Sequence, residues 1–325
     1  MNKLMDIALS IYMFPLKKLL LHSESDRCRN AMLHFLRKLK LKDTYTQIKF
    51  YPKKASDLEQ FHGAGEDYNE CAIILQGPLV KDDNFTVETI KLYSAYYQGA
   101  KIIVSTWVNV DSEIEQELSR LNVKIIKNKY PDKNGIGNIN YQLITSLNGV
   151  KYAEELKAEY IWKTRTDQRF YHPFALGYLL SKTKKNPERI ICLGGIRNSF
   201  VNRYFQLSDF MVFGTCENVG NYYSCPLDEE NTKENKHTRK NQSENTGYYN
   251  RYLSVVKQAE IDGRESVDGE FDGCSSYYRN PEVVLNYNYY CRMSADKKPD
   301  LYKEQYEEYL KQYVTIVDAE AIGFF

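Results

Sequence analysis

The residues best suited to chemistry lie in one stretch, Tyr160–Pro173, which reads YIWKTRTDQRFYHP. It starts apolar and then carries a charge at every second position. Successive side chains of a strand point to opposite faces, so Lys163, Arg165, Asp167 and Arg169 would share one face if the strand persists that far. Three cations around one carboxylate make a poor core and a good pocket for an anion, above all a phosphate gripped by arginine forks. A solvated edge strand with local ion pairs explains the same pattern. A lone carboxylate at Asp167 could also hold a divalent cation, with a ligand's phosphates completing the shell, as Mg²⁺ often prefers. Equally, the three cations could neutralise a phosphate without metal.

Other polar groups fall where predicted strands end. Gln76-Gly77-Pro78 closes one apolar run, and glycine there permits close backbone approach. Ser105 and Thr106, with Trp107, close a second. Asn138, Asn140 and Gln142 stand before a predicted helix, more amides than one cap requires. Asp209 opens the apolar run SDFMVFG, where partial desolvation would raise its pKa and suit a general base. Glu270, between Asp268 and Asp272, is its competitor. A plain turn or cap explains each of these equally simply. Glu244 fits the start of a helix. Neither G-x-G-x-x-G nor G-x-x-x-x-G-K-[ST] occurs, which removes the dinucleotide and P-loop readings.

The elements that must position these residues alternate. Cys71–Leu79, Ala100–Trp107, Val123–Lys127 and Tyr160–Phe170 read as buried strands. Phe85–Gln98, Ser112–Leu121 and a segment from Asn138 to about Lys157 read as the helices between them. Ser112, with Glu115 three residues on, has a capping-box pattern. Short links in a β-α-β-α-β-α-β series predict a mostly parallel central sheet with helices on both faces, a Rossmann-like core whose ligands sit at the carboxyl ends of the strands. Phe174–Lys184 continues as a helix, and Arg189–Leu193 and Ser208–Gly214 as strands. Beyond them, Glu282–Tyr290 (EVVLNYNYY) reads as a strand, Tyr248–Ala259 and Leu301–Tyr313 as helices, and Val314–Val317 as a last strand. Residues 228–245 (DEENTKENKHTRKNQSEN) have almost nothing apolar to bury and are expected to form a mobile loop, poised to order when ligand binds or without a role.

Composition narrows the class. The formal net charge of +1 excludes a general nucleic-acid binder. Seven scattered cysteines without a C-x-x-C suggest neither a disulfide framework nor a zinc site, and point to a reducing compartment. Most of the 28 tyrosines are expected to serve ordinary packing, although a tyrosine face also suits a sugar or a base. No apolar run reaches the ~18 residues of a membrane span, and the N-terminus does not resemble a signal peptide. Residues 1–21 have helical apolar spacing up to Pro15, with Lys17 and Lys18 following. That fits a helix packed on the domain or an amphipathic segment on an anionic membrane surface.

Taken in order, IILQGPL, FTVETIKLY, KIIVSTW, NINYQ, YIWKTRTDQR and LSDFMVFG resemble the WavE family of lipopolysaccharide-synthesis proteins over about residues 70–260. The resemblance implies a glycosyltransferase of the A-type α/β fold, a nucleotide-sugar donor and a cell-surface glycan or glycolipid acceptor. In such enzymes an Asp-x-Asp element after the fourth strand commonly holds the metal and diphosphate. The triplet here is Arg165-Thr166-Asp167, with only the second aspartate. The organisation expected is a basic N-terminal segment and linker (1–67), a nucleotide-sugar core (68–215) and an acceptor-side region (216–325), working at the cytoplasmic face of the membrane. The donor would meet Gln76, Gly77, Ser105, Thr106, Asn140, Gln142, Lys163, Arg165 and Arg169, with Asp167 facing its phosphates directly or through Mg²⁺ or Mn²⁺, and with Asp209 first and Glu270 second as base if the enzyme inverts. A sugar-phosphate transferase and a non-catalytic sugar-binding subunit are the rival expectations.

Overall fold

The computed structural model describes residues 51–57, 67–194 apart from Asn122, Phe205, 207–228, 281–294 and 302–324. The segments 1–21, 229–245 and 248–259, and Glu270 with its neighbouring acids, lie outside these residues.

The described strands are β1 (Cys71–Gln76), β2 (Lys101–Trp107), β3 (Lys124–Asn128), β4 (Tyr160–Arg165), β5 (Ile190–Gly194), β6 (Ser208–Thr215) and β7 (Val314–Asp318). They form one sheet in the order β3-β2-β1-β4-β6-β5-β7. All neighbours pair in parallel except at β6, which runs antiparallel to both β4 and β5. The C-terminal region thus supplies β7 to the same sheet as β1.

The described helices are α1 (Phe85–Tyr96), α2 (Ser112–Ser119), α3 (Ile139–Glu155), α4 (Ala175–Lys185), α5 (Cys216–Tyr223), α6 (Pro281–Met293) and α7 (Tyr302–Gln312). Alternation along the strands assigns them to two faces. Ile74, Ile103, Ile161 and Val212 pack with Leu143 and Val150 of α3, Tyr222 of α5 and Leu285 of α6. Ile73, Val104, Trp162 and Phe213 pack with Ile90 and Tyr93 of α1, Leu118 of α2 and Leu179 of α4. Tyr93, Tyr97, Tyr222, Tyr223, Tyr289 and Tyr309 are fully buried, so these tyrosines are packing material. Helix α3 lies close on β1, because a Cβ at Gly149 would stand 2.5 Å from Ile74 Cγ2.

Three local expectations are corrected. Glu282–Tyr290 is not a strand but most of α6. Its valines and tyrosines favour strand locally, but Pro281 suits a first helical turn and Val283–Cys291 are buried throughout, a pattern without a strand's alternation. The cap of α2 is Asp111, whose side chain accepts from Glu113 N at 2.9 Å, and not Ser112. Glu115 instead pairs with Lys127 at 2.6 Å. Strand β4 ends at Arg165 and not at Phe170, because Thr166 turns away to bind the loop after β1.

Candidate active site

The order β3-β2-β1-β4 places a topological switch point between β1 and β4, since the chain winds outward from β1 on one side and from β4 on the other. Crevices for ligands open outside the carboxyl ends of strands at such a point. Register fixes what lies there: Arg165 pairs with Gln76, and Gln76 with Ser105, in one row across three strands. Gly77 follows with φ +120°, and its N–H donates to Ser105 O at 3.0 Å. A Cβ on Gly77 would stand 3.1 Å from Thr166 Oγ1, which itself donates to Pro78 O at 2.6 Å. The loops after β1 and β4 are therefore tied together over the crevice floor.

Below this edge, a polar layer is sandwiched between the sheet and α3. Thr145 Oγ1 donates to Gln76 Oε1 at 2.7 Å. Asn128 Nδ2 donates to Ser105 Oγ at 3.0 Å and to Thr106 O at 2.7 Å, while Asn148 Nδ2 donates to Asn128 Oδ1 at 2.7 Å. Gln142 Nε2 donates to Asp209 Oδ2 at 2.5 Å. Lys163 is wholly buried; its Nζ donates to Asp209 O at 3.0 Å and lies over the Tyr223 ring. Burial pushes the Lys163 amine down to about 8, against the opposing pull of Asp209.

Above the layer stands a half-exposed fork. Arg165 Nε and a terminal nitrogen donate to the two oxygens of Asp167 at 2.9 and 2.8 Å, and the guanidinium lies over Phe210. Burial raises the Asp167 carboxyl, but the Arg165 fork, with Lys163 behind it, outweighs burial and holds the carboxyl below its ordinary value. The hydrogen bonds to Asp167 in turn push Arg165 up. Arg165 thus remains a fixed cation, and the arrangement can present a planar donor array to an anion.

Gln76, Gly77, Ser105, Gln142, Lys163, Arg165, Asp167 and Asp209 are brought together along this edge. Thr106 follows Ser105 on β2 and so lies on the opposite face, the one covered by α1 and α2. Asn140 sits at the start of α3 with its amide committed: it donates to Lys133 O and Asp228 O and accepts from Asp228 N. Asn138 does not cap α3; it has a left-handed backbone and accepts from Asn134. Arg169 does not share the face of Arg165, because the strand has ended. It is buried under α1, donating to Thr89 Oγ1, Phe85 O and Lys53 O at 2.9, 2.9 and 2.7 Å.

The donor set at Asp167 does not fit a protein-built divalent site. Both its oxygens accept from a guanidinium, and no group of three His, Cys, Asp or Glu residues among those described could hold a metal ion. A magnesium ion meeting this edge would depend on ligand phosphates and water for most of its shell.

The family model for WavE lipopolysaccharide synthesis matches residues 71–263, a span that begins with β1 and takes in every strand of the edge. The chain belongs to the WavE family. No curated protein matches it in sequence. Among solved structures, this WavE protein is similar to a mannosyltransferase from Pyrobaculum calidifontis in complex with GDP-Man and Mn²⁺, at 9% identity and TM-score 0.34, covering 78% of this chain and 76% of that one. It is also similar to glucosyl-3-phosphoglycerate synthase from Mycobacterium tuberculosis, at 9% identity and TM-score 0.32, covering 48% and 57%. CMP:2-keto-3-deoxy-manno-octonic acid synthetase complexed with CTP gives 13% identity and TM-score 0.33, covering 49% and 79%.

Several members of the edge in this WavE protein escape a reading of motifs. Asn128, Thr145, Asn148 and Tyr223 form the layer with the predicted residues. A signal existed for the helix members: Tyr141, Thr145 and Asn148 fall at i, i+4 and i+7, one stripe of a helix. Asn128 and Tyr223 carry no comparable mark, because their partners are distant in sequence.

Proposed function

We propose that this protein is a glycosyltransferase of the A-type fold in lipopolysaccharide or capsule synthesis, moving a sugar from a nucleotide-sugar donor to a cell-surface glycan or glycolipid. Membership of a lipopolysaccharide-synthesis family supports the pathway. The observation that carries the reaction class is the Arg165–Asp167 fork, half exposed at the switch point and braced from below by a buried polar layer. A preorganised cation at that place is suited to a phosphate leaving group, where negative charge grows as the bond to the sugar breaks.

In this reading an acceptor hydroxyl attacks the anomeric carbon. The new carbon–oxygen bond forms as the bond to the donor's phosphate breaks, and the nucleoside diphosphate leaves with that electron pair. Arg165 holds the growing charge and Asp167 holds Arg165. In this reading Asp209, with one oxygen engaged by Gln142, accepts the hydroxyl proton if configuration inverts. Lys163, wholly buried, acts on Asp209 and not on the donor. On the same reading the work belongs at the cytoplasmic face of the membrane. Independently of that, no helix among the described residues is long and apolar enough to cross a membrane.

A thermal-shift panel of nucleotide sugars, with and without Mn²⁺, tests the reading. A ligand at a hundred times its Kd stabilises by about 2.7 kcal/mol. One donor is expected to raise Tm in the wild type, and Arg165→Met to abolish that rise at unchanged intrinsic Tm. The absence of any shift across the panel would overturn the proposal.

A further inference from the structure

One aromatic group on the same edge has no part in the reading above. Tyr130, two residues beyond β3, is 46% exposed, more than any other phenylalanine, tyrosine or tryptophan whose burial is described. It is nevertheless held firmly. Its ring stacks on Trp107 at 4.6 Å between centroids and 15° between planes. Tyr141 of α3 meets Trp107 edge-on at 5.1 Å and Tyr130 at 6.0 Å. Trp107 beneath is buried. Tyr130 is thus fixed on one face by its stack on Trp107 and braced by Tyr141, with nearly half of the residue left to solvent. An aromatic plane pre-ordered in this way costs little further entropy when another plane settles on it.

Its position selects the kind of plane. Trp107 ends β2 and pairs in register with Asn128 of β3. The row Arg165–Gln76–Ser105 runs across the same face two residues earlier. From the Arg165 fork on β4 to β2 is two strand spacings, about 10 Å. A sugar bonded directly to a phosphate at Arg165 would lie beside that fork, and so would the acceptor that attacks it. The portion of a nucleotide sugar that extends away from the phosphate is the nucleoside, ending in a flat base.

Resting on the donor reading above, we propose that Tyr130, backed by Trp107 and Tyr141, is the stacking seat for the nucleobase of the donor. Stacking contributes to affinity with little discrimination among bases, since every base has an aromatic face.

Calorimetric titration with a panel of nucleoside diphosphates, and with inorganic pyrophosphate, tests this on the full chain. The wild type is expected to bind at least one nucleoside diphosphate more tightly than pyrophosphate. Tyr130→Ala should weaken that nucleotide about tenfold and leave pyrophosphate unchanged, whereas Tyr130→Phe should keep the wild-type affinity. Arg165→Met should weaken both ligands. Tm of each variant checks the fold. If Tyr130→Ala binds the nucleotide as the wild type does while Arg165→Met does not, the base seat is wrong and the anion reading survives. Equal loss of pyrophosphate and nucleotide in Tyr130→Ala also overturns the seat, as does weakened binding of an acceptor saccharide with nucleotide binding intact. If the wild type binds no nucleoside diphosphate, both readings fall.

Discussion

Arg165 and Arg169 stand four residues apart in one charged run, yet the fold uses them in opposite ways. Arg169 lies under α1 on one face of the sheet, with its donors spent on Thr89, Phe85 O and Lys53 O. Arg165 lies at the open edge on the α3 face, forked onto a single half-exposed carboxylate. The same contrast holds for the neighbouring threonines and amides. On the α1 face, Thr86 and Thr166 lock loop carbonyls. On the α3 face, Gln142 and Lys163 converge on Asp209, and Arg165 rises above them. A buried polar group whose capacity is filled by backbone is scaffold; the same type with exposed capacity at a switch point is a candidate for ligand.

The sharpest way to break this comparison is Arg169→Met. It strands two carbonyls and a hydroxyl that now accept its hydrogen bonds, and each buried group left unsatisfied costs about 1–3 kcal/mol. Chemical denaturation should show that loss. Stability within about 1 kcal/mol of wild type would return Arg169 to the list of ligand residues.

A second test concerns Lys163, whose folded pKa of about 8 lies below its ordinary 10.5. Below pH 8 the amine is charged in both folded and unfolded chains, and the cost of burying it is fully present. Between about 8 and 10.5 the unfolded chain holds a proton that the folded chain has released, so stability rises with pH, by up to about 3 kcal/mol. Buried tyrosines such as Tyr97, kept neutral in the fold, oppose this near pH 10. Denaturation midpoints at pH 8.0 and 9.5 should therefore rise for wild type relative to Lys163→Met. Parallel pH dependence in the two proteins would show that the amine is not so perturbed.

A smaller effect is expected where α3 presses on β1. Gly149→Ala puts a methyl against Ile74, and overpacking of this kind costs about 1–3 kcal/mol. Because the polar layer hangs from α3, loss of donor-induced stabilisation should accompany the fall in Tm. Unaltered ligand stabilisation in a destabilised variant would separate the layer from the site.

Much of the fold was legible because its signals are local. The four apolar runs ending at Gln76, Trp107, Asn128 and Arg165 are short and punctuated, and helices fill the gaps between them. The failure at Glu282–Tyr290 has a physical cause: valine and tyrosine favour strands in isolation, but a helix buried on nearly all sides carries apolar residues all round, without a helical stripe to mark it. At the site, strand ends showed where polar groups would gather. Alternation could not show that β4 stops at Arg165, since the tie from Thr166 to Pro78 joins residues 88 apart in sequence. That stop is what separates Arg165 from Arg169.

In the proposed reading the Arg165–Asp167 fork acts on a ligand and not on the fold. The direct measurement is the affinity of Arg165→Met for the nucleotide sugar that stabilises the wild type, read by calorimetry beside the variant's own Tm. The expected result is a Tm within a few degrees of wild type, since an exposed pair contributes about 0–1 kcal/mol, with donor affinity lowered at least a hundredfold. A variant that binds the donor as tightly as wild type would contradict the account.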